Sequence, residues 1–135
     1  MELTKSDALR AYARMINTLD ASHIEPLLAE DFHYASQMVF AELESKQAFL
    51  TYIRGKLKTI KKTGEFAYAE MAECPVGAYI DSIGPCVLVA QGSKENLRGT
   101  VFVKVKDGYI KRLDMCIIPH PSVAIRSGEY PAKTN

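Results

Sequence analysis

The second half of the chain has the residue pattern of a β-sheet. From residue 65 onward, strand-length runs rich in apolar residues are separated by glycine, proline or short polar turns. The pair Asp107-Gly108 between the last two runs is typical of a type I′ hairpin turn, because both central residues of that turn take positive φ. We therefore predict an antiparallel sheet with a closing hairpin, built from strands over residues 65–74, 79–83, 86–92, 97–106 and 109–118.

One of these runs indicates how the two faces of the sheet differ. Val101, Val103 and Val105 share one face by the two-residue period of a strand, and we predict that they line the interior. Phe102 and Lys104 share the other face. Because one face of so large a sheet must be covered or highly polar, the outward Phe102 predicts a homodimer through the outer sheet face.

The first half of the chain has helical periodicity instead. Residues 4–19 place apolar side chains on one helical face, with Thr4 or Ser6 as the N-cap. Ser22 and Glu25 have the spacing of a capping box, in which each side chain accepts a hydrogen bond from the backbone of the other. This spacing predicts a short second helix.

A third helix and two short extended segments complete the predicted elements. Ser45 is the expected N-cap of the helix and Gly64 its C-terminal glycine. Gly55 in its interior costs about 1 kcal/mol relative to alanine, which indicates close backbone packing there. Alternation over 32–36 and a second run over 38–43 predict short strands before this helix. The predicted class is α+β, with three N-terminal helices packed in a strongly curved antiparallel sheet.

Composition bounds the kind of protein. The 135 residues suit one domain, and we assign residues 1–119 to it and residues 120–135 to a C-terminal tail. With 17 basic and 16 acidic residues and 47% hydrophobic residues, the chain is an ordinary globular protein, and nucleic acid is not a predicted partner. Charges within residues 1–20 interrupt any signal peptide, and no run is long enough for a membrane span, so we expect the cytoplasm and no membrane partner.

Cysteine and histidine usage does not indicate a metal site. Cys74, Cys86 and Cys116 lack any C-x-x-C spacing and lie in apolar strand segments, so we interpret them as buried hydrophobic residues. The three histidines lack metal-ligand spacing, and His33 is expected at the surface. We predict neither a metal nor a cofactor.

Two short motifs resemble the nuclear-transport-factor-2-like superfamily. The segments 16–20 and 27–32 are similar to that family's exit from the first helix and its "L-x-A-x-D" entry into the first strand. The segment 107–110 resembles its "D-G-x-I" turn. The resemblance covers roughly residues 4–118 and implies a cone-shaped α+β barrel of the ketosteroid isomerase and SnoaL-like polyketide cyclase type. It also implies an apolar pocket at the open end and a dimer through the outer sheet face.

The resemblance also nominates site residues. Tyr12 matches the tyrosine with which ketosteroid isomerases hydrogen-bond the oxyanion that develops on the substrate, a task suited to a phenol in a dry pocket. The alternative is that Tyr12 is an ordinary member of an apolar helix stripe. Ser36 falls where those enzymes carry the basic aspartate, and a serine does not accept a proton near neutral pH without a partner. Their second acid falls on the stretch around Val101 and Val103.

Asp114 is the acid whose approximate position resembles that used by some polyketide cyclases. Its direction depends on the alternation of the last strand. Either the set Arg112, Asp114 and Cys116 or the set Leu113, Met115 and Ile117 faces inward, and hydrophobicity favours the second. Asp81, beside a Gly-Pro turn, is interpreted as a solvated or turn-capping carboxylate.

The remaining inward polar groups are hydroxyls. Tyr34 and Ser36 share the inward face of the first strand, and Tyr52 or Tyr68 is a further candidate. With Met115 they form our predicted ligand-binding set, beside Tyr12 and Asp114 as catalytic candidates. Hydroxyls suit a neutral, small apolar molecule. We predict a ligand-binding domain resembling cofactor-independent isomerases, cyclases and dehydratases, and the alternative is a non-catalytic dimerisation or protein-partner module.

One cationic stripe stands apart from this set. Arg54, Lys58, Lys61 and Lys62 share a face of the third helix. A solvated helix end, favoured by the helix dipole, explains them, and the alternative is a phosphate or an acidic partner.

Overall fold

The computed structural model describes residues 2–37, 41–75, 84–118 and 120–133. Its two α-helices are α1, Lys5–Thr18, and α2, Lys46–Thr63. The Thr4 hydroxyl accepts a hydrogen bond from the Asp7 amide at 3.0 Å, and Ser45 caps α2 in the same way through the Ala48 amide at 3.1 Å. Gly64 follows α2 with φ 72°, a conformation that glycine takes without steric cost. The predicted bounds of α2 are confirmed.

Two details of the helical predictions are wrong. Between α1 and the sheet the chain forms two 3₁₀ turns, Ala21–His23 and Glu25–Leu27, in place of one capped helix. The Asp20 carboxylate accepts from the Ser22 amide at 2.9 Å, so Asp20 is the cap where Ser22 was expected. A Cβ added at Gly55 would meet no atom within 4 Å, so the expected close packing there is absent.

The sheet has six strands in the described part of the chain, and their spatial order is β1-β5-β4-β3-β2-β6. β1 runs parallel to β5, and every other pair is antiparallel. The predicted strand over 79–83 and residues 38–40 of the second short run lie outside the described residues. Leu43, from that run, forms an isolated bridge with Tyr34. The strands are β1 Leu28–Ser36, β2 Ala67–Cys74, β3 Gly84–Gln91, β4 Leu97–Lys106, β5 Tyr109–Cys116 and β6 Ile125–Arg126.

The hairpin of β4 and β5 confirms the strongest turn signal of the sequence. Asp107 and Gly108 both have positive φ, 54° and 80°, as a type I′ turn requires. The turn fixes the register in which Val103 lies opposite Leu113 and Val101 opposite Met115. These four side chains are inward.

The main core lies between the concave face of this strongly curved sheet and the two helices. Leu9 of α1, Phe49 of α2, Phe32 of β1, Val101 of β4 and Leu113 of β5 are all fully excluded from solvent. Each removes a large apolar side chain from water, which stabilises the fold by about 1.5–3 kcal/mol per residue. The predicted α+β class, with its helices packed into a curved sheet, is confirmed.

The chain itself covers the part of the outer sheet face around Phe102. Phe102 is only 5% exposed and packs in a second apolar cluster that includes Ala124 of the C-terminal segment. The expectation that Phe102 lies uncovered on the sheet is therefore wrong. The three cysteines belong to this cluster as buried side chains, as predicted, and burial raises the pKa of Cys86 to about 12.

Residues 120–133, which we call the C-terminal strap, are held to the sheet at several points. Glu70 of β2 is 3% exposed, and its carboxylate accepts hydrogen bonds from Arg126 Nε at 2.7 Å, the Gly128 amide at 2.7 Å and the Tyr130 hydroxyl at 3.0 Å. β6 pairs with β2, and the Ser127 hydroxyl donates to the Met71 carbonyl. The tail expected from sequence to lie on the surface or on a partner thus packs on the outer face of the sheet, pairs along the edge strand β2 and reaches α1, where Asn17 donates to the Pro131 carbonyl at 2.8 Å.

Neither α-helix in the described part of the chain is long and apolar enough to cross a membrane.

Candidate ligand-binding site

Tyr12 is placed by α1 at the helix face that packs against the sheet. The helix presents Leu9, Tyr12, Ala13 and Ile16 on one side, and all four are buried. Tyr12 itself is 5% exposed. The predicted inward direction of this phenol is therefore confirmed.

Tyr34 and Ser36 come from the end of β1. Alternation along the strand turns Phe32, Tyr34 and Ser36 to the same side, and the register opposite Leu113 and Met115 of β5 fixes that side as the interior. Tyr34 is 5% exposed, whereas Ser36 is partly exposed.

Aromatic rings of α2 hold Tyr34 in place. Its ring centroid lies 5.1 Å from that of Phe49 and 5.6 Å from that of Tyr52, within the range of favourable aromatic pairs. Its backbone exchanges two hydrogen bonds with Leu43, at 2.8 and 2.9 Å. Packing and backbone pairing together restrict Tyr34 to one position, which is what a preorganised donor needs.

The three tyrosines and Ser36 form one group, which we call the hydroxyl cluster: Tyr12, Tyr34, Ser36 and Tyr52. Tyr52 and Ser36 lie close enough to the Tyr34 hydroxyl to change its pKa, Tyr52 raising it and Ser36 lowering it, and Tyr12 lies close enough to Tyr34 and Tyr52 to interact electrostatically with them. Tyr52 is 36% exposed. The cluster therefore extends from the buried helix interface to the surface beside α2.

The buried phenols of the cluster stay protonated. Burial is the largest cause that raises the pKa of Tyr12, and the neighbouring Tyr52 adds to it. Burial also raises the pKa of Tyr34, with Tyr12 and Tyr52 as further causes, while Ser36 lowers it slightly. A neutral phenol donates one hydrogen bond and accepts others, so both groups can bind an oxygen atom at any ordinary pH.

Met115 lies at the edge of this cluster, opposite Ser36, and is 6% exposed on the inner face. Gln37 fixes the junction between the two strands. Its side-chain oxygen accepts from the Ile117 and Ile118 backbone amides at 2.6 and 2.8 Å, and its backbone amide donates to the Met115 carbonyl at 3.0 Å. No sequence pattern singles out Gln37, because its role depends on the pairing of two segments far apart in the chain.

Asp114 is not brought to the hydroxyl cluster. Of the two alternatives for β5, the apolar set containing Leu113 and Met115 faces inward, which turns Asp114 to the outer face beside Phe102. There Arg112 Nε donates to both Asp114 oxygens, at 3.1 and 3.0 Å. The Asp114 carboxylate thus has an ion-pair partner on the side of the sheet away from Tyr12.

The same outer face carries a small charged network. Glu42 lies between His33 and Arg112 and contacts both. Its Oε2 lies 2.6 Å from His33 Nδ1, and its Oε1 accepts a hydrogen bond from Arg112 Nη2 at 2.8 Å. Arg112 and His33 both lower the pKa of Glu42. His33 lies at the surface, as predicted. Asp81 lies outside the described residues, and the residues that the structure does describe contain no cluster of three or more metal-binding side chains.

Comparison with solved structures identifies the fold. The chain superposes on an NTF2-like protein of unknown function from Cytophaga hutchinsonii with a TM-score of 0.56 and 13% identity, covering 90% of this chain and 96% of that one. A candidate polyketide cyclase from Sinorhizobium meliloti gives a TM-score of 0.55 and 19% identity, with 82% and 94% covered. A candidate ketosteroid isomerase from Kribbella flavida gives 0.52 and 15%, with 93% and 79% covered.

The chain therefore has the nuclear-transport-factor-2-like fold, and the resemblance predicted from two short motifs is confirmed at the level of the fold. No protein-family model matches the sequence, and no curated protein matches it either.

Proposed function

We propose that the chain binds a small, uncharged, largely apolar molecule through the hydroxyl cluster. The observation that carries the proposal is the pair of buried phenols, Tyr12 and Tyr34, on the inner face of the sheet. Both are 5% exposed and both are neutral donors, and they are surrounded by the apolar core. A few polar groups in an apolar lining are typical of sites that recognise one oxygen atom of an apolar ligand.

The chemistry around the phenols favours a ketone, an ester or a phenol as the ligand. In the described part of the chain, the side chains that perturb the ionisation of Tyr12 and Tyr34 are hydroxyls, and no carboxylate or amine is among them. A charged ligand would lose its hydration without an opposite charge to replace it. A neutral oxygen needs only the hydrogen bond that a phenol donates.

The reaction classes that suit such a site are isomerisation, cyclisation and dehydration without a cofactor. Two of the proteins similar in fold are named as a candidate polyketide cyclase and a candidate ketosteroid isomerase, which supports this choice. The alternative of a non-catalytic partner module rests on two points, the absence of a basic aspartate at Ser36 and an uncovered Phe102. The second point no longer holds, because Phe102 is buried beneath the strap. A homodimer remains a prediction, which the mass of the chain in solution at micromolar concentration would test.

The test is a binding screen with matched ligands and matched variants. Uncharged ketones and phenols of two to four fused rings are compared with the corresponding hydrocarbons, which lack the oxygen. We expect the ketones and phenols to bind more tightly. Tyr12→Phe should weaken them by about 2- to 12-fold, the worth of one neutral hydrogen bond, and leave the hydrocarbons unchanged.

The control variant is Tyr109→Phe, which removes a phenol that is 50% exposed at the start of β5. It should change no affinity. If no ketone or phenol binds, or if Tyr12→Phe leaves every ligand found unchanged, the proposed site is wrong.

A further inference from the structure

A surface cleft lies between α2 and the first 3₁₀ turn, away from the hydroxyl cluster. Its volume is about 340 Å³. Its floor is apolar and includes Leu57, which is 4% exposed, and Ala21, which is 7% exposed.

One wall of the cleft is cationic because of how α2 is composed. The helix carries six basic residues and no acidic one, although acidic residues outnumber basic ones in the rest of the chain. Arg54, Lys58 and Lys61 follow one another at helical spacing and line the cleft. Lys56 and Lys62 belong to the same helix and are exposed, but they do not line it.

The two acidic residues of the cleft are already engaged. Glu25 accepts a hydrogen bond from the Arg54 guanidinium at 2.5 Å, and Asp20 accepts from the Ser22 amide at 2.9 Å. In the described part of the chain, Lys58 has no hydrogen-bonded or ion-pair partner. Glu25 thus shows that the cationic wall accepts a carboxylate, and Lys58 leaves a second position for one.

The backbone at the rim of the cleft is strained. Leu19 ends α1 with φ 56° and ψ 43°, the left-handed conformation that glycine usually takes at this position. Non-glycine residues in that conformation are uncommon and cluster at functional positions. Here the conformation places an apolar side chain in the lining beside Leu57.

We propose that this cleft is a docking site for an acidic peptide segment of a partner protein, with one apolar side chain on the floor and flanking carboxylates on Lys58, Lys61 and Arg54. The apolar floor favours an acidic peptide over a nucleic acid or an anionic membrane, which a basic helix also attracts. A nucleic-acid backbone offers phosphates but no aliphatic side chain for Leu57, and a membrane surface would contact the outermost lysines of α2 as readily as those of the cleft.

The test uses a fluorescein-labelled peptide in which single leucines alternate with pairs of glutamates. We expect the double variant Lys58→Glu with Lys61→Glu to weaken its binding about tenfold. The matched control, Lys56→Glu with Lys62→Glu, makes the same change of charge on the same helix outside the cleft and should weaken binding far less. Glu25→Gln frees the Arg54 guanidinium and should tighten binding about two- to threefold.

Two further peptides separate the parts of the proposal. Replacing each leucine of the peptide with alanine should weaken binding, because the side chain that contacts the apolar floor is lost. Replacing each glutamate with glutamine should abolish the dependence of the affinity on salt concentration. Absence of binding at about 1 mM peptide, or equal losses in the two double variants, would overturn the proposal. So would equally tight binding of an oligothymidylate or of phosphatidylserine vesicles with the same dependence on Lys58 and Lys61.

Discussion

One anchor of the C-terminal strap is the buried carboxylate of Glu70, so Glu70→Gln should destabilise the fold measurably. Glu70 accepts hydrogen bonds from Arg126, Gly128 and Tyr130 at 2.7–3.0 Å. Glutamine keeps the shape of the side chain but removes its charge. Its NH₂ group replaces one of the two carboxylate oxygens, and an NH₂ group cannot accept a hydrogen bond from the donors that surround Glu70. A hydrogen bond to a charged group contributes about 1.5–3 kcal/mol.

The exposed fraction of the Arg126 side chain determines where in this range the loss of stability falls. The Arg126 side chain is 36% exposed and can recover hydration, whereas Glu70 is buried. We therefore expect a loss of about 2 kcal/mol in the free energy of unfolding, a large fraction of the 5–15 kcal/mol typical of a domain. Urea denaturation followed by circular dichroism measures it, since the chain contains no tryptophan.

The control for this measurement lies on the same strand. Glu73 is exposed on β2, and Glu73→Gln should change the stability by less than about 0.5 kcal/mol. Tryptic cleavage after Arg126 should also become faster in the Glu70 variant, because the strap opens more often. A loss for Glu70→Gln no larger than that for Glu73→Gln would refute the assignment of Glu70 as an anchor.

Further tests concern glycines and buried phenols. Gly55→Ala should stabilise the chain by about 1 kcal/mol, because the site is open and alanine favours the helix. Gly99→Ala should destabilise it by about 2 kcal/mol or more, since the new Cβ would lie 2.6 Å from Met115 Cε and 2.8 Å from a backbone oxygen. Because burial raises the pKa of Tyr12 and Tyr34 above the usual 10.0, their contribution to stability is complete below pH 10 and is lost as the pH rises further. Alkaline denaturation curves that are flat above pH 10 would contradict this.

The elements predicted correctly from sequence are those specified by residues close together in the chain. Asp107-Gly108 specifies its turn because both residues tolerate positive φ. Ser45 begins α2 through a hydrogen bond to the backbone, and Gly64 ends it by taking a left-handed conformation. The inward direction of Tyr34 follows from alternation with Phe32 in one strand. None of these predictions requires knowledge of a distant contact.

The predictions that failed concern distant contacts or competing local ones. Phe102 was expected to lie uncovered because its cover, the strap, is contributed by a segment without periodicity. Asp20 caps this turn in place of Ser22, because the Asp20 carboxylate, two residues earlier in the chain, accepts a hydrogen bond from the Ser22 amide. The buried role of Glu70 could not be read from a strand in which glutamates usually face water, because its donors lie more than fifty residues away.

The inner face of the sheet favours polarisation of a bound oxygen over abstraction of a proton, because of which strand positions point inward. Around the hydroxyl cluster, the described inward positions of β4 and β5 hold aliphatic side chains or methionine, and β1 contributes Ser36. A preorganised donor in a dry site contributes about 10²–10³ in rate when negative charge develops on the bound oxygen, and a positioned base contributes about 10²–10⁴. In the proposed site, the phenols of Tyr12 and Tyr34 would supply the first contribution only. A cyclisation in which a hydroxyl group of the substrate adds to its own polarised carbonyl removes no proton from carbon, because the hydroxyl proton passes to the former carbonyl oxygen as the new C–O bond forms. Such a step suits this cluster better than a reaction that removes a proton from carbon.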